Sequence, residues 1–247
     1  MNNQTEAGGL RFAYMDRNVA QVRARIRAAA ERAGRGDDVG LIAAVKYTDA
    51  PHIAELARLG VRDVGENRVQ QLLEHWEALD RAGLRFHFIG TLQTNKVKYI
   101  ADKVCMIHSL DSLRLAGEIE RQMQKLGRRM DVLVEINSGQ EPNKSGLLPA
   151  EAPGFCAALG QFPHLRLRGL MTMAPKCEKK EDYRKYFRET YRLGLDIWQK
   201  KLHNNIDRPL FSMGMSESFE TAIEEGADLV RVGRALFADP GAPAPGD

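Results

Sequence analysis

Short apolar runs alternate with longer helical patterns along almost the whole chain. Eight of the runs have the length and the polar or glycine endings of buried strands. They cover residues 41–46, 61–66, 85–90, 104–110, 131–138, 165–174, 210–214 and 229–233. Helical periodicity lies between them at 51–59, 67–79, 94–102, 111–127, 150–160, 181–202 and 217–225. This alternation predicts a parallel sheet with crossover helices.

The number of strand–helix units separates two architectures. Eight units in a chain of 247 residues favour an α/β fold of one domain, a closed (β/α)8 TIM-type barrel over residues 10–239. An open doubly wound sheet more often has about five or six strands and a glycine-rich first turn. The turn after the first strand reads YTDAP instead.

An additional helix is predicted before the first strand, over residues 12–33. Its apolar residues recur at steps of three and four, and Gly34 ends the pattern. The arginines on this helix favour a solvated face over a nucleic-acid stripe, because acidic residues lie among and beyond them. The polar residues 1–9 predict a disordered N-terminus, and the Pro- and Gly-rich residues 240–247 predict a flexible tail.

Composition excludes several classes of function. The net charge of +3 comes from 36 Lys and Arg against 33 Asp and Glu, too weak a surplus to indicate nucleic-acid binding. The three cysteines are far apart, which favours reduced thiols over a zinc or disulfide framework. No metal spacing links the histidines, and no apolar run approaches a signal sequence or a membrane span. We therefore expect a cytoplasmic protein without membrane or nucleic-acid partners.

In a barrel of this type the chemistry lies where the strands end, with a frequent phosphate site after strands seven and eight. Ser212 and Gly214 lie at the end of the seventh predicted strand, Ser216 follows it, and Gly233 ends the eighth. The glycines let the backbone approach an anion, and the serines offer hydroxyl donors. Both loops therefore predict a phosphate site, although Ser216 could instead only cap the helix that begins near residue 217.

A lysine ends the first predicted strand. If Lys46 points into the barrel mouth, burial lowers the pKa of its amine, which can then form a Schiff base with a carbonyl. The alternative is a lysine whose charged end simply reaches solvent. A phosphate site across the same mouth favours a ligand with both an aldehyde and a phosphate. Pyridoxal phosphate and the phosphosugar substrates of Schiff-base aldolases fit that description.

Arg231 distinguishes between these ligands. It lies two residues before Gly233, so both face the same side of the eighth strand. An arginine at a pyridine nitrogen keeps that nitrogen unprotonated and weakens the ring as an electron sink. Such a site suits cofactor binding better than demanding carbanion chemistry.

Seven motifs resemble the pyridoxal-phosphate homeostasis protein family, whose barrel is similar to the N-terminal domain of alanine racemase. They are AVKY (44–47), VGENRVQ (64–70), HFIGTLQTNK (87–96), LVEINSGQEPNKSG (133–146), LRGLMTMAP (167–175), FSMGMSESFETAI (211–223) and VRVGRALF (230–237). The resemblance runs from about residue 12 to about residue 238, nearly the whole chain, and the seven motifs together are far more specific than any one of them.

The resemblance implies roles for individual residues. Lys46 would carry pyridoxal 5'-phosphate (PLP) as a covalent aldimine, and Arg231 would lie by the ring nitrogen or the phosphate. The remaining cofactor-binding residues that it implies are Asn67, Met171, Ser212, Met213, Gly214 and Gly233. Two positions depart from the family, which often has Ser or Thr at Val45 and His at Thr91.

The resemblance also implies a function. Members are cofactor-binding proteins of intracellular PLP (vitamin B6) and amino-acid homeostasis, without an established reaction, and PLP-dependent apo-enzymes are candidate partners. The small barrel suggests a monomer. The alternative is an amino-acid racemase, which needs a second base from a further domain, and we expect no room for one after strand eight. A Schiff-base aldolase would place acid–base partners beside its lysine, and none are evident around Lys46.

The sequence also predicts the environment of three further side chains, two histidines and one glutamate. His87 and His108 lie inside predicted strands, where buried, hydrogen-bonded core positions are favoured over catalysis. Glu66 ends the second strand, where it could act as a base or pair with Arg68 or Lys46.

Overall fold

The computed structural model describes residues 12–36, 39–46, 48–79, 83–200 and 208–239. The predicted disordered N-terminus and flexible tail lie outside these residues. Within them, none of the helices combines the length and the apolar character needed to cross a bilayer.

Eight parallel strands close into a barrel in which β1 pairs with β2 on one side and with β8 on the other. The strands are β1 (Gly40–Ala44), β2 (Asp63–Glu66), β3 (Arg85–Phe88), β4 (Val104–Leu110), β5 (Met130–Ile136), β6 (Leu165–Thr172), β7 (Leu210–Met213) and β8 (Leu229–Val232). The predicted TIM-type barrel is confirmed. Each strand lies inside or close to its predicted run.

The described helices are α1 (Ala13–Arg32), α2 (Ala50–Arg58), α3 (Val69–Ala78), α4 (Val97–Ile100), α5 (Leu113–Leu126), α6 (Ala152–Ala158), α7 (Tyr183–Gln199), α8 (Phe219–Glu224) and α9 (Arg234–Phe237). Short 3-10 turns at Thr94–Lys96, Leu159–Gln161 and Lys180–Asp182 adjoin three of them. Local signals set several boundaries. Asp49 accepts a hydrogen bond from the backbone N–H of His52 at the start of α2, and Gly127, with φ of +60°, ends α5.

The additional N-terminal helix α1 is also confirmed. Its buried residues follow the predicted stripe and are Met15, Val19, Val22, Ile26, Ala29 and Ala30. Asn18 Nδ2 donates to the carbonyl oxygens of Leu236 (3.1 Å) and Ala238 (2.9 Å), and Arg25 pairs with Glu220 at 2.9 Å. These contacts bind α1 to α8 and α9, the helices that carry the loops after β7 and β8.

The barrel has two apolar layers. The larger lies between the outer faces of the strands and the helices. The smaller lies inside the barrel and consists of Met106, Leu133 and Met171, with Leu210 and Leu229 packed against it. Since both faces of each strand are covered, the strands are nearly continuous apolar runs. The inner cluster forms the floor beneath the polar side chains at the mouth.

Candidate functional site

Lys46 lies at the rim of the barrel, two residues beyond the end of β1, and it is exposed. Side chains alternate along a strand, so Gly40, Ile42 and Ala44 share one side of β1. A Cβ built on Gly40 would lie 2.7 Å from Leu229 Cδ2, and Leu229 packs against the inner cluster. That side therefore faces the interior, and the next alternate position is Lys46.

The loops after β7 and β8 each contain a glycine, so at these positions no side chain covers the backbone at the rim. Gly214 has φ of +87°, and a Cβ there would lie 2.6 Å from Ala222 Cβ and 2.8 Å from Phe219 Cα. A Cβ on Gly233 would lie 3.0 Å from the carbonyl oxygen of Ala44. Conformation and space both exclude a side chain at position 214. The loop after β8 lies directly against the end of β1.

The serines of the β7 loop have different partners. Ser216 Oγ accepts hydrogen bonds from the backbone N–H groups of Gly233 (3.3 Å) and Ala235 (3.4 Å), which ties the two loops together. Ser218, rather than Ser216, is the N-cap residue of α8, and its Oγ accepts from the Met215 N–H at 3.2 Å. The interpretation of Ser216 as the cap of the helix that follows it is therefore wrong.

Arg231 is buried in the barrel interior with only 3% of its surface exposed. Its Nη1 donates to the carbonyl oxygen of Ser212 (2.7 Å) and to Ser212 Oγ (2.6 Å), and its Nη2 donates to the carbonyl oxygen of Thr172 (2.9 Å). Burial lowers the pKa of Arg231 to about 10, against a smaller opposing effect of Glu135. The guanidinium therefore stays charged at neutral pH and is held from two neighbouring strands.

Ser212 is fully buried, and its hydroxyl points inward rather than into the β7 loop. Ser212 Oγ lies 3.0 Å from His108 Nδ1, His108 Nε2 lies 3.0 Å from His87 Nδ1, and His87 Nε2 lies 3.0 Å from an oxygen of Asp63. A continuous hydrogen-bonded chain thus crosses the barrel from β8 to β2. We call it the barrel chain: Arg231, Ser212, His108, His87 and Asp63.

The two ends of the barrel chain assign every proton in it. The Arg231 guanidinium only donates, so Ser212 Oγ accepts from it and gives its hydroxyl proton to His108 Nδ1. His108 Nε2–H then donates to His87 Nδ1, and His87 Nε2–H donates to the Asp63 carboxylate. The His108 ring is neutral in this arrangement. Burial, His87 and Arg231 lower the pKa of His108 well below its ordinary value, which agrees with that assignment.

A second buried pair lies at the end of β2. His75 Nδ1 is 2.5 Å from Glu66 Oε1, and His75 Nε2 is 2.9 Å from the carbonyl oxygen of Thr48. Glu66 is fully buried and pairs with His75, a partner that was not predicted for it. Next to it, Asn67 Oδ1 is buried without a hydrogen-bond donor among the described residues.

Two of the cavities at this end of the barrel lie on either side of β1. One, of about 460 Å³, lies over β5 to β8 and is lined in part by Glu135, Lys144, Met173, Met215 and Arg234. The other, of about 530 Å³, lies over β2 and β3 and is lined in part by Asn67, Arg68, Phe88, Thr91 and Lys96. Since β1 lies between β8 and β2 in the barrel, its Lys46 end stands between the two cavities.

The predicted site residues therefore occupy three depths. Lys46 and the loop glycines lie at the rim, Asn67 borders a cavity, and Ser212 and Arg231 lie inside the barrel. Met171 and Met213 are fully buried, the first in the inner cluster and the second in the outer core. Val45 also packs in the outer core, which accounts for an apolar residue there, and Thr91 is exposed.

Sequence reasoning missed Asp63, His75 and Glu135. Glu135 is almost completely buried, accepts a hydrogen bond from Ser145 Oγ at 2.8 Å, and has a pKa raised chiefly by burial. A signal for Asp63 existed, because it occupies an inward position on β2 in step with Gly65. Among the described residues no group of three or more His, Cys, Asp or Glu side chains could hold a metal ion.

Comparison with known proteins gives a consistent result. Residues 18–240 match the family model of the alanine racemase N-terminal domain. The pyridoxal phosphate homeostasis protein of Aquifex aeolicus is 42% identical over 222 residues, which are 90% of this chain and 96% of that protein. The protein of the same name from Pseudomonas aeruginosa is 39% identical over 230 residues, with 92% and 97% covered.

Comparison with solved structures agrees with these sequence similarities. PipY from Synechococcus elongatus, solved with PLP bound, has a TM-score of 0.79 at 29% identity, covering 91% of this chain and all of PipY. A protein of unknown function from Bifidobacterium adolescentis reaches 0.86 at 35% identity, with 92% and 96% covered. Alanine racemase of Clostridium difficile has a TM-score of 0.71 at 16% identity, covering 95% of this chain and 57% of the racemase. That last likeness concerns the fold alone.

Proposed function

Because the chain belongs to the pyridoxal phosphate homeostasis protein family, within the class of alanine racemase N-terminal domains, we propose that it binds pyridoxal 5'-phosphate and serves PLP and amino-acid homeostasis. The observation that carries the proposal is the contact between Gly233 and Ala44. It brings the loop after β8 against the end of the strand that leads to Lys46. A phosphate held by that loop and an aldehyde held by Lys46 would then belong to one small ligand.

The residues at the rim fit such a ligand. Lys46 offers a primary amine on the inner side of the rim, and Gly214 and Gly233 offer backbone that a phosphate can approach closely. Asn67 adds a buried carbonyl oxygen that can accept a hydrogen bond. Arg231 adds a buried positive charge beneath the loops. The phosphate, the aldehyde and the polar ring substituents of such a ligand would therefore each meet a protein group of suitable chemistry.

When bound, PLP supplies an aldehyde that forms a C=N bond with primary amines and a ring that can take up electron density. In our proposal Lys46 Nζ is the primary amine that would form this bond, with loss of water. Gly214, Gly233 and the neighbouring Met213 backbone hold the phosphate. Arg231, fixed by Ser212 and Thr172, presents a permanent cation and therefore does not protonate the ring nitrogen.

We propose a binding role without catalysis. An unprotonated ring nitrogen stabilises a carbanion poorly, and the likeness to alanine racemase is a distant likeness of fold. PLP-dependent apo-enzymes are the proposed recipients of the cofactor, in the cytoplasm, and the protein is proposed to act as a monomer. Incubation with L-alanine and PLP should yield no D-alanine, and a measurable yield would favour the racemase alternative.

Mass spectrometry after borohydride reduction tests the proposal directly. Reduction of the PLP-treated protein should add one phosphopyridoxyl group to the peptide that contains Lys46. Lys46→Ala should remove that adduct and the visible absorbance. Lys98→Ala is a matched control, since Lys98 is another lysine at this end of the barrel, where it lies 4.8 Å from the ring centre of Tyr99. A protein that takes up no PLP would overturn the proposal.

A further inference from the structure

We propose that His75 is a positioning residue for Lys46. In this view His75 and Glu66 form a clamp that holds the backbone at Thr48, two residues after Lys46, and thereby sets the position from which the Lys46 amine would meet the aldehyde. The inference rests on the proposed attachment of PLP to Lys46 and adds a determinant of its affinity.

The clamp joins three elements. His75 lies on α3 and is 7% exposed, and Glu66 ends β2 and is fully buried. One ring nitrogen contacts the Glu66 carboxylate at 2.5 Å, and the other contacts the Thr48 carbonyl at 2.9 Å. Thr48 is two residues from Lys46. The ring therefore connects the buried end of β2 to the loop that carries the lysine.

These contacts fix the number of protons in the clamp. A carbonyl oxygen only accepts hydrogen bonds, so His75 Nε2 must carry a proton. A second proton must lie between Nδ1 and Glu66 Oε1, since otherwise two lone pairs would face each other at 2.5 Å. The pair therefore holds one proton more than a neutral imidazole beside a carboxylate. Glu66 Oε2 is buried without a hydrogen-bond partner among the described residues, so the contact of Oε1 with His75 is the hydrogen bond that the structure shows for this carboxylate.

A second anchor of the loop lies upstream of Lys46. The Val45 N–H donates to the carbonyl of Gly65 at 3.0 Å, and the Thr48 N–H donates back to the carbonyl of Val45 at 3.1 Å. Lys46 thus lies inside a turn that the sheet holds at Val45 and His75 holds at Thr48. Without His75, the Thr48 carbonyl loses its hydrogen bond to α3 and, through the ring, its connection to Glu66 on β2.

The clamp should weaken in alkaline solution. The hydrogen bond with Glu66 is the main cause of a raised pKa of His75, burial opposes it, and Glu66, the Thr48 carbonyl and Glu74 on α3 add to the rise. A raised pKa means that the contact is fully formed below pH 6.5, the ordinary value. It is lost as the pH rises through the raised value, when the shared proton leaves.

Two variants and one control test the clamp. His75→Gln removes the positive charge and the pair of opposed donors, whereas His75→Lys keeps a charge and three donors on one atom. His164→Gln is the matched control, because His164 Nδ1 lies 2.6 Å from Glu120 Oε1 in another histidine–carboxylate pair, next to α5 and β6. The measurements are hydrogen-exchange protection of residues 45–49 in protein without PLP, and the Kd for PLP, from pH 6.5 to 9.

We expect His75→Gln to lower protection of residues 45–49 severalfold and to raise the Kd for PLP about tenfold, the typical effect of losing one charge-assisted hydrogen bond. Wild-type protection should fall between pH 6.5 and 9, and His75→Lys should abolish that fall. His164→Gln should match the wild type.

Wild-type protection and affinity in His75→Gln would overturn the inference. If that variant does not fold, the comparison of His75→Lys with the wild type decides, and an equal pH response of the two would overturn it. A protein that binds no PLP overturns the proposed function instead, because the exchange measurement needs no ligand.

Discussion

Arg231 and Asp63 form the two ends of one hydrogen-bonded chain through the barrel interior, with Ser212, His108 and His87 between them. Each member donates to the next in the same direction, from the cation on β8 to the carboxylate on β2. The chain gives hydrogen-bond partners to a buried guanidinium and two buried imidazoles, and Arg85 pairs with Asp63 at its far end. Because each member supplies a hydrogen-bond partner to the next, a substitution at one position should leave a neighbouring group without its partner and lower the free energy of unfolding.

Ser212→Ala should destabilise the fold by about 1–3 kcal/mol, because it leaves His108 Nδ1 buried without a donor and removes one acceptor of Arg231. Urea unfolding measures this change. Ser109→Ala is the control, since Ser109 Oγ is buried without a partner among the described residues and its loss should cost nothing. Equal free energies of unfolding in the two variants would contradict the assigned chain.

The stability of the protein should fall below pH 6.5 partly because of His108. Its lowered pKa keeps the folded ring neutral, whereas the unfolded ring takes up a proton below pH 6.5. The stability that neutrality contributes is therefore present above pH 6.5 and lost as the pH falls. His108→Gln should remove a slope on the order of 1.4 kcal/mol per pH unit. Urea unfolding at pH 7.5, 6.5 and 5.5 compares the two proteins, and parallel curves would refute the neutral ring.

Asp63→Asn should destabilise the protein at neutral pH and lose its effect in acid. Burial raises the pKa of Asp63, but hydrogen bonds from His87 and Arg85 outweigh it and bring the pKa down from 3.8 to about 2. The carboxylate therefore contributes about 2 kcal/mol above pH 3.8, lost as the pH falls toward 2. Thermal unfolding at pH 7 and pH 3 should show the difference from wild type shrinking. A difference that stays constant would contradict the lowered pKa.

Gly214→Ala should weaken both stability and PLP binding. The new Cβ meets Ala222 and the Phe219 backbone, and φ of +87° strains any side chain, so a cost of about 1–3 kcal/mol is expected. Gly154→Ala is the control, because Gly154 lies in α6 with nothing within 4 Å of its Cβ position. That change should leave PLP binding intact. Titration with PLP and urea unfolding of both variants check the prediction.

The sequence predicted the barrel well because each strand and all helices but α9 have a local signal of their own. Strand endings and helix starts were less accurate, as α8 begins at Phe219 rather than near 217. The segment 94–102 is a 3-10 turn followed by a short helix, which periodicity alone does not distinguish. The interpretation of His87 and His108 as buried, hydrogen-bonded residues is confirmed.

Partnerships between distant strands could not be predicted in the same way. Ser212 was assigned to the loop from its neighbours, whereas its inward side chain meets His108, 104 residues away in the chain. Glu66 had two candidate cations close in sequence or across the rim, yet His75 reaches it from the next helix. Strand alternation gives the direction of a side chain, but the partner depends on the closure and stagger of the barrel.

Lys46 is exposed at the rim, whereas Arg231 is sealed in the interior of the same barrel. A ligand that spans the two would have one wet end and one dry end. Water and incoming amines could reach its bond to the lysine, while its far side stayed sheltered. The residence time of such a ligand would be set by the access of water and amines to the rim rather than by opening of the barrel. A protein with one accessible and one sheltered end of its site is suited to release its ligand to an acceptor.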